Sequence, residues 1–192
     1  MVIDGIILSV IVGFFRKGNF KWLTQPIFKW GWIFPLLLIA QLFVFYFQNK
    51  IDFIGSISHY IFIFVYVFGL FFLWINRDQK GMMIVFMGVF LNFLVLVVNG
   101  GRMPVYEEAA AILDPKFVDA LTEGMYAKHV LLTESTRLPF LGDIIPIQEP
   151  YPKTQVISIG DVIMNIGIFL FIQDKMINQN KEDKNNSSKV FV

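Results

Sequence analysis

Five long apolar stretches dominate the pattern of hydrophobic and polar positions along this chain. They cover residues 1–15, 30–48, 57–75, 81–98 and 156–173. A helix needs roughly 17–25 apolar residues to cross a bilayer at 1.5 Å rise per residue. The pattern therefore predicts an all-α, polytopic membrane helix bundle with about five transmembrane helices. Residues 1–175 are expected to form a single integral membrane domain.

Composition agrees with a membrane location. The chain is 56% hydrophobic, contains 22 phenylalanines and is only 16% charged, whereas soluble domains are about 25% charged. A net charge of +1 gives no case for nucleic-acid binding, which needs a basic patch or stripe, so no nucleic-acid partner is expected. The chain has no cysteine, and it shows neither a cofactor motif nor metal-ligand spacing. We therefore expect no cofactor and no metal, and any catalytic residues are unknown at this stage.

The short loops carry an asymmetric distribution of Lys and Arg. Residues 16–29 hold four basic residues and no acid, the 76–80 loop holds two basic residues, and four lysines follow residue 174. With five spans, all three segments lie on one side, which the positive-inside rule assigns to the cytoplasm. The prediction is a multi-pass plasma-membrane protein with its N-terminus outside and its C-terminus cytoplasmic. The polar segment 176–192 is expected to be a disordered cytoplasmic tail.

The interval 99–155 is too long for a simple connector and is expected to be a structured extracytoplasmic loop. Asp114 and Pro115 form a helix start, and apolar residues follow at i+4 spacing. This pattern predicts an amphipathic helix over 114–128. A shorter helix near 105–113 is also compatible with the sequence. The proline-rich segment 138–152 is apolar but cannot form a long helix, so it is expected to fold back against the bundle.

The first polar motif of this loop is the run NGGRMP at 99–104. It is typical of a helix end, in which Asn and Gly adopt the left-handed conformation and a cation lies near the negative end of the helix dipole. Alternatively, Asn99 and Arg102 belong to a binding site, and Arg102 binds an anion or an internal carboxylate. Both interpretations stay open.

Two Gly-Asp motifs supply the carboxylates. Asp143 suits a turn or a helix N-cap, and Ser158 with Asp161 has the spacing of a capping box. The functional alternative is a pair of outer-leaflet carboxylates with Arg102 as their partner, because ionisable groups inside membranes are costly when they stand alone. His129, in the same loop, is a further candidate ligand-binding residue.

The runs NGGRMPV (99–105), LGDIIP (141–146) and SIGDVIMNIG (158–167) resemble an uncharacterised family of small bacterial integral membrane proteins, known as a domain of unknown function. The resemblance extends over most of residues 1–175. It implies a bacterial plasma-membrane protein with an extracytoplasmic polar cluster. It implies no activity, substrate or cofactor.

Two functional hypotheses follow. In the first, the protein is not an enzyme: it binds a small molecule, lipid or peptide at an extracytoplasmic pocket, or it acts as an accessory subunit that contacts another membrane protein. In the second, it is a membrane-embedded enzyme that acts on a lipid or prenyl substrate, with Asp143 or Asp161 as the base and Arg102 holding a phosphate.

Overall fold

A computed structural model describes residues 2–24, 27–48, 50–113, 121, 128–152 and 154–189, with side chains up to residue 177. The described chain is mostly helical. Its helices are α1 (Val2–Phe15), α2 (Ile33–Phe47), α3 (Asp52–Ile75), α4 (Met82–Val98), α5 (Glu107–Leu113) and α6 (Ile159–Lys189), with 3-10 turns at Lys21–Thr24 and Pro139–Leu141.

The five long helices lie where the apolar stretches predict helices. Among the described residues, only α3 combines 24 residues with enough apolar character to cross a bilayer by itself. The helices α1, α2 and α4 are apolar but contain 14, 15 and 17 residues. The predicted helices are thus present, and the prediction that five of them cross a membrane stays a prediction.

The long helices pack side by side in the order α2, α3, α4, α6 and α1. The last helix in the chain therefore lies between α4 and the first helix. It runs antiparallel to α4, since Gly88 contacts Gly160. It runs parallel to α1, since Ser9 and Arg16 contact Phe169 and Gln173 respectively.

Glycines bring α4 and α6 into backbone contact. Gly81, directly before α4, and Gly88, within α4, face Gly167 and Gly160 of α6. Gly81 and Gly88 are seven positions apart, as are Gly160 and Gly167. A methyl group at Gly88 would lie 2.5 Å from Gly160 O, and one at Gly167 would lie 2.6 Å from Val85 N. Small residues at such an interface let two helix backbones approach each other closely.

A second row of small residues joins α1 to α6. Gly5, Ser9 and Gly13 follow one another at four-residue spacing, so they lie on one face of α1. The buried Ser9 Oγ donates a hydrogen bond to Phe169 O at 3.2 Å. Gln173 Nε2 in turn donates to Ser9 O at 2.5 Å. Since no water competes within an apolar bundle, these bonds fix the register of the two helices.

One end of the bundle collects the basic segments, and we call it the basic end. Arg16 Nη1 donates to Gln173 Oε1 at 3.0 Å, Lys29 Nζ lies 3.8 Å from Asp78 Oδ2 and Lys80 Nζ lies 3.8 Å from Asp174 Oδ1. The basic end is defined by its seven cations, which are Arg16, Lys17, Lys21, Lys29, Arg77, Lys80 and Lys175.

The described parts of segment 99–157 form a layer over the opposite end of the bundle. Strand β1 (Met103–Val105) pairs in parallel with β2 (His129–Leu131). Strand β3 (Ile145–Ile147) pairs antiparallel with β4 (Gln155–Ile157). The all-α class predicted from the sequence is therefore corrected by four short strands. Three-residue strands escape a pattern reading because they are too short to show an alternation of apolar and polar residues.

Two expectations about the loop have different outcomes. The short helix near 105–113 is confirmed as α5 (Glu107–Leu113). Most of the predicted amphipathic helix over 114–128 lies outside the described residues, so it stays a prediction. Segment 138–152 forms no long helix; its turn at Pro139–Leu141 packs against α4 and α6, and Leu141 is buried beside Val95 and Met103.

The backbone of the polar C-terminal segment is helical, which the sequence does not predict. The helix α6 continues to Lys189, whereas the sequence predicts a disordered tail over 176–192. Residues 174–189 contain neither Pro nor Gly, so nothing in this segment breaks the helix locally. Disorder of the segment remains a prediction.

The glycine contact between α4 and α6 gives the first prediction. The substitution Gly167→Ala should lower the free energy of unfolding in detergent by about 1–3 kcal/mol, because the added methyl group forces the helices apart. The matched control is Gly69→Ala in α3, where a methyl group meets nothing within 4 Å. This control should be neutral or more stable by about 0.5–1 kcal/mol. Equal effects of the two substitutions would contradict the close contact.

Candidate functional site

The NGGRMP run ends α4 with a Schellman motif. Gly101 N donates to Leu96 O at 2.8 Å and Gly100 N donates to Val97 O at 3.2 Å. Gly100 and Gly101 have positive φ values of 71° and 82°, a conformation in which a side chain would be strained. Asn99 itself has φ −109° and is not left-handed. The helix-end interpretation is thus confirmed, with both glycines rather than Asn99 making the turn.

The Asn99 side chain attaches the loop to α4. Its Nδ2 donates to Val95 O and to Arg137 O, both at 2.8 Å. Its Oδ1 accepts a hydrogen bond from Arg137 N at 2.9 Å. Because both atoms of the amide already have partners, Asn99 positions the loop layer over the bundle.

Asp161 takes part in a capping box and in a contact between two helices. Asp161 N donates to Ser158 Oγ at 3.0 Å and Ser158 N donates to Asp161 Oδ2 at 3.2 Å, which confirms the predicted motif. Asn92 of α4 bridges both residues: its Nδ2 donates to Asp161 Oδ1 at 3.0 Å, and its Oδ1 accepts from Ser158 Oγ at 2.7 Å. Asn92 therefore joins α4 to α6, as expected for an amide between helices.

Asp143 and His129 meet beside strand β1. Asp143 N donates to Pro104 O at 2.8 Å and Tyr106 N donates to Asp143 O at 3.1 Å, so the segment around Asp143 lies along β1 on the side away from β2. His129, in β2, has its Nε2 3.4 Å from Asp143 Oδ2, and the two side chains are only 20% and 13% exposed. The structure thus brings together two of the sequence-predicted site residues.

The cation near these carboxylates is Lys128, which the sequence analysis did not single out. Lys128 O accepts a hydrogen bond from Met103 N at 2.7 Å. Its ammonium interacts electrostatically with Tyr66 of α3 and with Asp143 and Asp161. The interaction with Tyr66 is the largest cause that raises the pKa of Lys128 above its usual value; burial opposes the rise and the two carboxylates add to it. Lys128 is therefore an ammonium at neutral pH.

Two features hid this cluster from sequence reasoning. The periodicity of 114–128 placed Lys128 on the polar face of a surface helix. Tyr66 lies within the apolar run IFIFVYVFGLFF (61–72), where one phenol is easily read as a packing residue. In the structure the Tyr66 ring lies 6.2 Å from that of Phe93, next along α4 to Asn92. The available signal was a phenol in the middle of a predicted span.

The predicted ion pair of Arg102 with Asp143 or Asp161 is wrong. The ion pairs formed by the described residues do not join Arg102 to either carboxylate. Asp161 is already satisfied by Asn92 and Ser158, and Asp143 faces His129. Arg102 is half-buried and follows the helix end. Of the predicted residues, His129, Asp143 and Asp161 therefore lie around Lys128, while Asn99 and Arg102 belong to the helix end.

The fold and this cluster define a mostly helical protein with a polar centre beneath a loop layer. The chain belongs to a family of unknown function, DUF5317, whose model matches residues 26–173. It is 30% identical over 171 residues to an uncharacterized protein of Thermotoga maritima, and the match covers 89% of each chain. No solved structure matches the chain. The resemblance to an uncharacterised family is thus confirmed at the level of the family.

The polar contacts predict unequal effects of two substitutions. Asn92→Ala should lower the free energy of unfolding by about 1–3 kcal/mol, because it leaves the Ser158 hydroxyl and the Asp161 carboxylate each short of a partner. Arg102→Gln should cost less than about 1 kcal/mol, as is usual for residues outside such networks. Thermal unfolding of both variants in detergent measures the difference. If Arg102→Gln proved as costly as Asn92→Ala, an unseen partner of Arg102 would have to exist.

Proposed function

We propose that this chain is a bacterial plasma-membrane protein with five spans that binds a small polar molecule or a lipid headgroup at an extracytoplasmic polar site around Lys128. The proposal has two parts, membrane insertion and ligand binding. Each part depends on a different observation and has its own test.

Membrane insertion is supported by the apolar outer surface of the bundle. Only 22% of the most apolar 18-residue window of α3 is buried. Large apolar side chains on the outer faces of α1, α2 and α3 are exposed, among them Ile7, Leu8, Phe34, Ile39, Phe64 and Phe71. A soluble monomer rarely exposes more than a few hundred Å² of contiguous apolar surface. A bilayer would cover this surface without requiring a protein partner.

Helix lengths are compatible with five spans if the bilayer adapts. The 15 residues of α2 extend about 22 Å at 1.5 Å per residue, which is shorter than the hydrocarbon core of about 30 Å. Local thinning, or flanking residues that reach the interface, accommodates a short span at modest cost. The alternating directions of α2, α3, α4 and α6 favour successive crossings, and the basic end would then face the cytoplasm.

Topology can be tested directly because the chain contains no cysteine. We expect single cysteines introduced as Lys50→Cys and Glu134→Cys to react with a membrane-impermeant maleimide in right-side-out vesicles. Arg77→Cys should react only after permeabilisation, because it belongs to the cytoplasmic side. Labelling of Arg77→Cys without permeabilisation, or protection of both Lys50→Cys and Glu134→Cys, would contradict the proposed orientation.

Ligand binding is supported by one observation, the position of Lys128. Its ammonium lies deep in the protein among Tyr66, Asp143 and Asp161, yet the residue keeps part of its surface accessible. Charged groups held inside an apolar bundle are costly and cluster at functional sites. A packing role alone would be filled at lower cost by an apolar side chain.

The alternative function, an enzyme acting on a lipid or prenyl substrate, has less support. That hypothesis required Arg102 to hold a phosphate beside an aspartate base. Arg102 forms no contact with Asp143 or Asp161, and the Asp161 carboxylate accepts hydrogen bonds from Asn92 and Ser158. The arrangement therefore favours binding over catalysis.

Native mass spectrometry of the protein purified in mild detergent tests the binding proposal. We expect a bound species of a few hundred daltons that survives gentle activation. Lys128→Met should lose this species, because the substitution keeps the side-chain length and removes the charge. Lys50→Met, at the same end of the bundle but outside the polar site around Lys128, is the matched control. A wild-type protein that carries no such species, or equal retention by Lys128→Met, would overturn the binding part of the proposal.

A further inference from the structure

We propose that the basic end binds the headgroups of anionic phospholipids. This inference rests on the membrane insertion proposed above and adds the chemical class of lipid that the protein selects. Nothing in it depends on the polar site around Lys128, which lies at the other end of the bundle.

Charge is the first support. The basic end combines seven cations from three separate segments of the chain, and among the residues of these segments up to residue 177 only Asp78 and Asp174 are acidic. Six of the seven cations are exposed. The Lys29–Asp78 pair is itself open to solvent, with side chains 69% and 74% exposed. With both carboxylates counted, the basic end still carries five net positive charges. Clustered cations at a membrane surface attract anionic headgroups.

Backbone strain is the second support, and it is independent of charge. Lys17 has φ 63° and Trp30 has φ 58°, a conformation that suits glycine. Lys17 lies in a Schellman motif at the end of α1, where Gly18 N donates to Gly13 O at 2.9 Å and Lys17 N donates to Phe14 O at 2.8 Å. Glycine would close this motif without strain. Lysine and tryptophan occupy these two positions although glycine would be less strained there, which supports a role for the two side chains at this surface.

The aromatic residues are the third support. All four tryptophans of the chain lie at the basic end, within or next to its three segments: Trp22, Trp30, Trp32 and Trp74. Trp30, Trp32 and Trp74 are exposed, and the Arg77 guanidinium lies 4.4 Å above the Trp74 ring. Indole rings prefer the headgroup level of a bilayer. The cations beside them would then be at the height of the lipid phosphates.

Tryptophan fluorescence therefore reports directly on the lipids around the basic end. The protein is reconstituted into vesicles of phosphatidylcholine and phosphatidylglycerol at a 3:1 molar ratio. In separate samples, the acyl chains of either phosphatidylcholine or phosphatidylglycerol carry bromine, which quenches tryptophan fluorescence. We expect brominated phosphatidylglycerol to quench several-fold more than its mole fraction predicts, and 0.5 M salt to reduce the excess by screening.

Charge variants separate a selective site from a general effect. The triple variant Lys17→Gln, Lys21→Gln and Arg77→Gln should lower the preference for phosphatidylglycerol by at least about fivefold. A factor of about five is expected if only one of the three lost cations contacts the anionic lipids. The matched control Lys50→Gln removes one cation from the opposite end and should leave the preference unchanged. The inference would be overturned if quenching of the wild type only matched the mole fraction of phosphatidylglycerol. It would also be overturned if the triple variant kept the preference, or if the control lost as much of it as the triple variant.

One further variant, Lys17→Gly, should increase the stability of the protein and decrease its preference for phosphatidylglycerol. Lys17→Gly should raise the unfolding temperature of the protein in vesicles of pure phosphatidylcholine, because it relieves the strained backbone conformation at residue 17. The same variant should reduce the excess quenching by phosphatidylglycerol, because it removes a cation. A preference as high as that of the wild type would mean that Lys17 has no lipid role. Absence of quenching by both lipids would instead contradict membrane insertion, so the two proposals fail in different ways.

Discussion

The close contact of α4 with α6 is the interaction on which the rest of the structure depends. Glycines at seven-residue spacing in both segments allow backbone atoms to meet, and the close packing of these atoms adds dispersion attraction between the two helices. Since α6 is also the partner of α1, this contact connects the first and last helices of the chain to the α2–α3–α4 row. It also sets the distance across which Asn92 reaches Ser158 and Asp161.

Polar groups inside the bundle are satisfied in two distinct ways. Asn92, Ser158 and Asp161 form a compact network with donors and acceptors matched across two helices. Such a network is stable because every member has a partner, and it specifies one register of the helices. The group around Lys128 is different, because its charge interactions at neutral pH are with the carboxylates of Asp143 and Asp161, and Lys128 keeps some contact with solvent. The first arrangement suits structure, and the second suits the recognition of a ligand.

The two ends of the bundle also differ in how their chain is held. At the loop end, the Asn99 amide and the strand pairs tie non-helical backbone to the helices. At the basic end, the buried Asn76 has an equivalent role: its Nδ2 donates to Lys29 O at 3.0 Å, and its Oδ1 accepts from Lys29 N at 2.9 Å. In each case a side-chain amide satisfies both the backbone N–H and the backbone C=O of one residue. Backbone that leaves a helix in apolar surroundings needs such partners.

The sequence by itself determined the features that depend on neighbouring residues. Apolar stretches located the five long helices, the Ser158–Asp161 spacing identified the capping box, and NGGRMP identified a helix end, because each involves residues within a few positions of one another. Only the tertiary structure decided which distant groups meet. The spacing did not reveal that Lys128 lies near Tyr66, 62 positions earlier, or that Asn92 takes the place expected for Arg102. The physical reason is that these contacts follow from the distance and register between helices, which the glycine contacts set and which no local pattern encodes.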